Sequence, residues 1–369
     1  MTDITQQNRP AEPDPALFVA DGFGQYAKGG VGGDVVTVTN LNDSGSGSLR
    51  DAIENATTEP RLIDFSVGGT ITLASKLSIT NPNITINGAS APNGGIIIKD
   101  YEVELNDTHD IILRHLRFRS GNAVQVVEDS LQIFHCNDIV VDHCSMQYAV
   151  DENLDVQGST NVTVQWCIIA LGLMSAGHAK GDHSMGLIGF DANKLSIHHN
   201  LFAHNDMRSP FCRQDTDVYN NVIYNWGFLA TDIGYNPLAS EADPLGTSNA
   251  NVENNYYILG PDSDDATDAE YNRFFRARDD ANVYIGTGNR YDVQHKVPSP
   301  PISIAFTGGT FTEMTTRFSF PRGTGSLQSA DDAYVDVLDQ AGAFPRDSVD
   351  HAIVQDVKTL TGAIIDAPP

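Results

Sequence analysis

IVVDHCSMQYAVDENLDVQGSTNVTVQWC, residues 139–167, begins and ends on one six-residue figure: IVVDHC from Ile139 and VTVQWC from Val162. In each copy apolar residues alternate along the segment, and a polar residue, a ring and a cysteine follow. The figure returns as ITINGA from Ile84, IILRHL from Ile111, LSIHHN from Leu195, TDVYNN from Thr216 and ANVENN from Ala250, at intervals of 21 to 34 residues. Val, Ile and Thr in alternation favour strands, and the Asn and Gly that follow favour turns. A strand-based unit recurring at this period, with extra residues on some turns only, predicts a solenoid with one coil per repeat. Such coils bury each other's apolar faces and satisfy backbone groups from coil to coil. No helical periodicity runs through the repeats.

The expected architecture is therefore all-β, a single-domain parallel β-helix. Asn200, Asn221 and Asn255 fall at one repeat position and predict a stacked amide ladder, with Cys144 and Cys167 on lower rungs. GSGSLRDAIENA (45–56) reads as a short helix capped by Ser46 or Ser48 and closing the first coil. After the Pro-rich break VPSPP (297–301) come polar strands and two helical patterns, DDAYVDVLDQAG and DSVDHAIVQDVKTL. The expected division is a disordered segment 1–17, a β-helix domain 18–300 and a C-terminal extension 301–369 packed on its outside.

The chain carries 48 Asp and Glu against 22 Lys and Arg, a formal net charge of −26. That balance opposes a nucleic-acid or anionic-membrane partner. No apolar run approaches the roughly 20 residues of a membrane span. The opening MTDITQQNRPAEPDPALF lacks the basic and apolar regions of a signal peptide, so either the chain stays inside the cell or it is a mature form whose leader was replaced by Met1; the secreted form is the expectation. Cys136, Cys144, Cys167 and Cys212 have no metal-site spacing and are expected as buried free thiols. A monomer is the default expectation.

Two sets of residues carry chemistry. Asp129, Asp151, Glu152 and Asp155 lie on neighbouring coils, and oxygen-only ligation suits calcium; a solvated acidic turn is the plainer alternative. Lys180, Arg208 and Arg213 arrive on successive coils beside them, a scarce concentration of cations that would hold carboxylates; ordinary salt bridges are the plainer alternative. His178 and His183 flank Lys180 and could shape a subsite, with zinc a weaker reading. His198–His199 is placed at the repeat position of His115 and His143, and so is read as structural.

GFGQYAKGGVGGDVVTVTNLNDSGSGSLRDAI (22–53), NPNITINGASAPNGGIIIK (81–99), VVDHCSMQYAVDENLDVQGSTNVTVQWC (140–167), RSPFCR (208–213) and AGAFPRDSVDHAIVQDVKTLTGAIID (341–366) together resemble polysaccharide lyase family 1, in particular its bacterial pectate lyases. The resemblance implies a right-handed parallel β-helix and calcium-dependent β-elimination on polygalacturonate or pectin. It implies calcium ligands at Asp129, Asp151 and Asp155; Glu152 beside them is a candidate further ligand. It also implies Arg208 as Brønsted base, with Lys180 and Arg213 binding substrate carboxylates. One position departs: where the family often has a further acid, this chain has Val127, and Glu128 or Glu152 would have to compensate. A β-helix glycoside hydrolase or depolymerase, and a non-catalytic carbohydrate-binding β-helix, are the competing readings.

Overall fold

The computed structural model describes residues 20–55, 58–234, 247–263, 273–278, 281–292, 311–323 and 327–369. The expected disordered segment 1–17 and the Pro-rich break 297–301 lie outside the described residues. Among the described residues three sheets of eleven, eight and nine strands are built between Asp34 and Glu313, and the strand pairings within them are parallel. One coil shows the plan. Asn137–Asp142 joins the eleven-stranded sheet, Ser145–Gln147 the nine-stranded, Glu152–Gln157 the eight-stranded, and Thr160–Gln165 returns to the first, directly beside Asn137–Asp142. This is a parallel β-helix.

The seven repeat starts pair with one another without slippage: Ile84 with Ile111, Ile111 with Ile139, Ile139 with Val162, Val162 with Leu195, Leu195 with Thr216, and Thr216 with Ala250. A side-chain period of two explains this fidelity, since a one-residue slip would turn every core Ile and Val outward. Ile111, Ile139, Val162 and Leu195 are fully buried, one above the next.

Between the eleven- and nine-stranded sheets the chain turns on two residues, the first left-handed: His143 at φ 49°, Trp166 at 53°, His199 at 55° and Asn220 at 54°. The rings of His143, Trp166 and His199 stack up this corner. Thus His199 shares the repeat position of His115 and His143, whereas His198 sits one residue earlier, opposite Gln165 and Tyr219. The next residue faces inward and forms the amide ladder. Asn200 Nδ2 donates to Asn221 Oδ1 at 3.0 Å, Asn221 Nδ2 to Asn255 Oδ1 at 2.9 Å, and Asn255 Nδ2 to Asn289 Oδ1 at 3.2 Å, a rung beyond those expected. Asn221 Oδ1 also accepts the buried Asn200 backbone N–H at 3.0 Å. Asn221→Ala strands that donor, so chemical denaturation should show a loss of about 1–3 kcal/mol; an unchanged midpoint would remove the ladder from the account of stability.

Helix α1 (Leu49–Glu54) is capped by Ser48, whose side chain accepts from Asp51 N, and it buries Leu49, Ala52 and Ile53 in the main core. Helices α2 (Ala330–Gln340) and α3 (Ser348–Thr359) pack Val337, Leu338, Ile353 and Val357 against Ile168, Leu201 and Val222 on the outer face of the nine-stranded sheet. Buried Arg117 clamps α3 through Asp350 at 3.0 Å. The polar strands expected before α2 reduce, among the described residues, to Thr312–Glu313. All four cysteines are free and buried, as expected.

The connections from the nine- to the eight-stranded sheet absorb most of the length variation. Residues 148–151 make one of them, while residues 171–184 fill the next. Loops such as 171–184 therefore flank one edge of the eight-stranded sheet.

Candidate functional site

The outward face of the eight-stranded sheet carries one continuous row across successive coils: Ser78, Glu104, Gln132, Asp155, Ile188, Phe211, Asp232 and Arg276. Strand alternation produces it, because Leu131 and Leu154 point into the core while their neighbours Gln132 and Asp155 point out. Adjacent positions in the row are about 4.8 Å apart.

The expected acidic residues converge at one part of this row. Oxygens of Asp129, Asp151 and Glu152 lie within 4.8 Å of one another. Gln132 Nε2 donates to both Asp129 Oδ2 at 3.3 Å and Asp155 Oδ2 at 3.2 Å, tying the fourth carboxylate to the group. Asp129 Oδ1 accepts the Glu152 backbone N–H at 2.8 Å. Burial, then the charges of Asp155, Glu102 and Asp151, push the Asp129 pKa well above the usual carboxylate range. Burial likewise raises Asp155 to about 7, with Asp151 and Glu102 adding to the effect. Asp155 Oδ1 is buried and has no hydrogen-bond donor. Crowded, desolvated carboxylates with an unused oxygen are what a hard, oxygen-seeking cation would relieve. The donor set therefore fits calcium.

Glu128 and Glu152, the acids that would have to compensate for Val127, each have a partner within the protein. Glu128 Oε2 accepts the Glu102 backbone N–H at 3.0 Å, and Glu152 is ion-paired with Arg208.

Asp151 is the most exposed of the group, its side chain 27% accessible. Against the effect of burial, the hydrogen bond from His183 and the charges of Lys180 and His183 bring its pKa down to about 2. His183 Nε2 lies 2.7 Å from Oδ1 and His178 Nε2 3.4 Å from Oδ2, with the two rings stacked at 4.0 Å. The Lys180 backbone N–H donates to His178 Nδ1 at 2.9 Å. In neutral His178 the proton is consequently on Nε2, directed at Asp151. A zinc ligand would need the lone pair at that nitrogen and a donor at Nδ1, so this arrangement opposes the zinc reading. The histidines hold Asp151 instead.

The cations are placed differently from one another. Arg208, at φ 60°, follows Met207 into the corner and pairs with Glu152; its side chain is 20% exposed. Burial lowers its pKa, with Asp151, Asp129 and Asp232 opposing and Arg278 assisting. Lys180 sits exposed on loop 171–184, and its charge acts on both Asp151 and Asp155. Arg213 belongs to the same outward face, two positions along the strand direction from Phe211. There it is engaged elsewhere: Nη1 lies 3.2 Å from Asp191 Oδ1, and the guanidinium is 4.5 Å from the Phe190 ring centroid.

Sequence reasoning missed several charged neighbours. Lys76 Nζ sits 2.7 Å from Glu102 Oε1 and 3.6 Å from Glu104 Oε1, closing the acidic end of the row. At the other end Arg276 and Arg278 both bind Asp232. The alternation in YEVELN and RFFRAR offered a signal for an outward face, but not for which coil it would adjoin.

No family model matches the chain. Curated relatives do. It is 34% identical over 353 residues to the probable pectate lyase C of Aspergillus flavus, covering 94% of this chain and 78% of that protein. To the probable pectate lyase C of Aspergillus fumigatus it is 32% identical over 345 residues, covering 92% and 76%. Among solved structures, the cedar pollen allergen jun a 1 superposes with a TM-score of 0.64 at 18% identity, covering 88% of this chain and 92% of that one. A Bacillus sp. N165 pectate lyase in complex with trigalacturonate superposes with a TM-score of 0.61 at 18% identity, covering 87% and 98%. At such identity these two bear on the fold alone. The sequence relatives cited are fungal, so the narrower bacterial assignment rests only on the motifs.

Proposed function

The chain belongs to the pectate lyase family and is a polysaccharide lyase, and from that premise we propose that it cleaves α-1,4-linked polygalacturonate by calcium-dependent β-elimination at the Asp129–Asp151–Asp155 and Arg208 corner. The observation that carries this reading is the crowding of buried carboxylates, with an unused Asp155 oxygen, one contact away from Arg208.

Asp129, Asp151 and Asp155 would hold the cation, with Glu152 the further ligand. Calcium bound there supplies positive charge to a uronate carboxylate, which acidifies the adjacent C–H and stabilises the charge that develops on its removal. Arg208 takes that proton. The electron pair forms the new C4–C5 double bond, the C4–O glycosidic bond breaks, and the departing oxygen is protonated from water. Products are a shortened chain and a 4,5-unsaturated oligogalacturonate. Lys180 binds a substrate carboxylate from its exposed loop. Arg213 does so on exchanging Asp191 for substrate.

At physiological salt the Debye length is about 8 Å, so the remote acidic surface repels a polyuronate only weakly and the local cations decide binding. A hydrolase would instead set two carboxylates across the bond; three carboxylates gathered around one point, as Asp129, Asp151 and Glu152 are, favour a shared cation. Secretion and a monomeric state belong to this reading. Among the described residues no helix is long and apolar enough to cross a membrane.

Incubation with polygalacturonate, with and without calcium, tests the assignment. The expected result is ultraviolet absorbance from unsaturated ends that grows only with calcium. New reducing ends without that absorbance would identify a hydrolase, and binding without either product a lectin-like protein.

A further inference from the structure

The outward row changes sign along the stack. Its acidic end holds Glu104 and Asp155; Ile188 and Phe211 follow; then come Asp232 and Arg276. On the last of these coils two guanidinium groups share one carboxylate. Arg276 Nε donates to Asp232 Oδ1 at 3.1 Å, and Arg278 Nε donates to the same oxygen at 2.9 Å. The Nη2 group of each bonds Asp232 Oδ2. Two positive groups and one negative group leave one net positive charge.

That surplus is placed for use. Asp232 is almost fully buried, while the side chains of Arg276 and Arg278 keep 12% and 14% of their surface open. Among the described residues neither Nη1 has a hydrogen-bond partner. The Arg278 guanidinium lies 5.0 Å from the Phe211 ring centroid, a cation–π contact on the outward face. Asp232 N–H donates to Pro210 O at 2.9 Å, joining this coil to the segment that carries Arg208. Phe211 belongs to that segment, and Arg276 lies two coils beyond it, about 10 Å along the stack.

We infer that Arg276 and Arg278, held by Asp232, form a carboxylate-binding subsite for an acidic sugar unit of the substrate other than the two joined by the bond cleaved. The inference rests on the polyuronate reading above and adds to it that the groove engages the polymer over several units. A planar guanidinium with free N–H groups suits a carboxylate. Because Asp232 already neutralises one of the two arginines and orients both, the subsite is preorganised and carries a single net charge.

Arg278→Gln is the test. It leaves Asp232 paired with Arg276, so the buried carboxylate is not orphaned. Binding of polygalacturonate and of trigalacturonate to wild type and variant is measured calorimetrically, with steady-state cleavage of both in parallel and the unfolding midpoint as control. Loss of a charge-assisted hydrogen bond predicts that the polymer Kd and KM rise about tenfold, more than kcat falls and more than the trimer values change. Raising the salt should narrow the gap between variant and wild type. A folded variant with unchanged polymer affinity, or one that loses polymer and trimer equally, overturns the subsite. Wild-type binding without unsaturated product overturns the lyase mechanism instead, and the binding arm then still decides the subsite.

Discussion

Replacing Arg208 should reduce polygalacturonate turnover by about 10²- to 10⁴-fold, the range for loss of a positioned proton-transfer group. Arg208→Lys and Arg208→Ala serve together. Alanine leaves Glu152, only 7% exposed, without its partner, and some stability is expected to go with it. Lysine keeps a positive charge beside Glu152 and should preserve the unfolding midpoint, yet it cannot reproduce the guanidine base at the same place. Retention of more than a tenth of wild-type turnover by the folded lysine variant would exclude Arg208 as the base.

The resting structure also predicts how that base is governed. A guanidinium normally stays protonated, and contact with Glu152 favours the charged form. Burial works in the opposite direction and lowers the Arg208 pKa. Proton abstraction therefore requires Arg208 to leave Glu152, and the neutral fraction grows with pH. Turnover should rise toward alkaline pH, and that rise should disappear with Arg208→Lys. A flat profile in wild type would contradict this assignment.

Removing the cation should abolish turnover and alter the pH dependence of stability. Asp155 ionises near 3.8 as an ordinary aspartate but is raised to about 7 by burial and by the charges of Asp151 and Glu102. Between those values the folded protein keeps a proton that the unfolded chain has lost. The native state then binds more protons, so stability falls as pH rises through the window. For the coupled carboxylates together the fall is on the order of a few kcal/mol. Asp129 is shifted in the same direction. Calcium among the carboxylates makes the ionised forms favourable and should cancel most of that slope, adding about 2.7 kcal/mol at a hundredfold excess over its Kd. Denaturant midpoints from pH 4 to 8, in chelator and in calcium, read both effects. Coincident curves would show that these carboxylates do not hold the ion.

The repeat made the coil legible because a two-residue alternation determines both which side chains enter the core and which residues pair. Ile84, Ile111, Ile139 and Val162 share one position of the sequence repeat, and they are register partners on neighbouring parallel strands. The same alignment placed Asp129, Asp151 and Asp155 on adjoining coils. It could not show that Arg213 would be drawn to Asp191 and Phe190, because that depends on competition among neighbours on one face. His178 and His183 were legible as flanking Lys180, but a fourteen-residue loop has no period from which to derive their closure on Asp151.

By itself, then, the amino-acid sequence determined the stacked coil, its inward ladder and the coils that bear the acids, since all three follow from short-range periodicity. Only the tertiary structure decided the path of residues 22–33, whose backbone crosses the eleven-stranded sheet with Gly24 N–H bonded to Thr163 Oγ1 at 2.8 Å and Gly30 N–H to Thr85 Oγ1 at 2.9 Å. A Cβ at Gly24 would come within 2.6 Å of Ile139 O, a steric demand set by residues more than a hundred positions away. The pairing of Arg208 with Glu152 and of Arg276 and Arg278 with Asp232 was decided in the same way. Charges find partners through space, and loop length separates in sequence what coil stacking brings together.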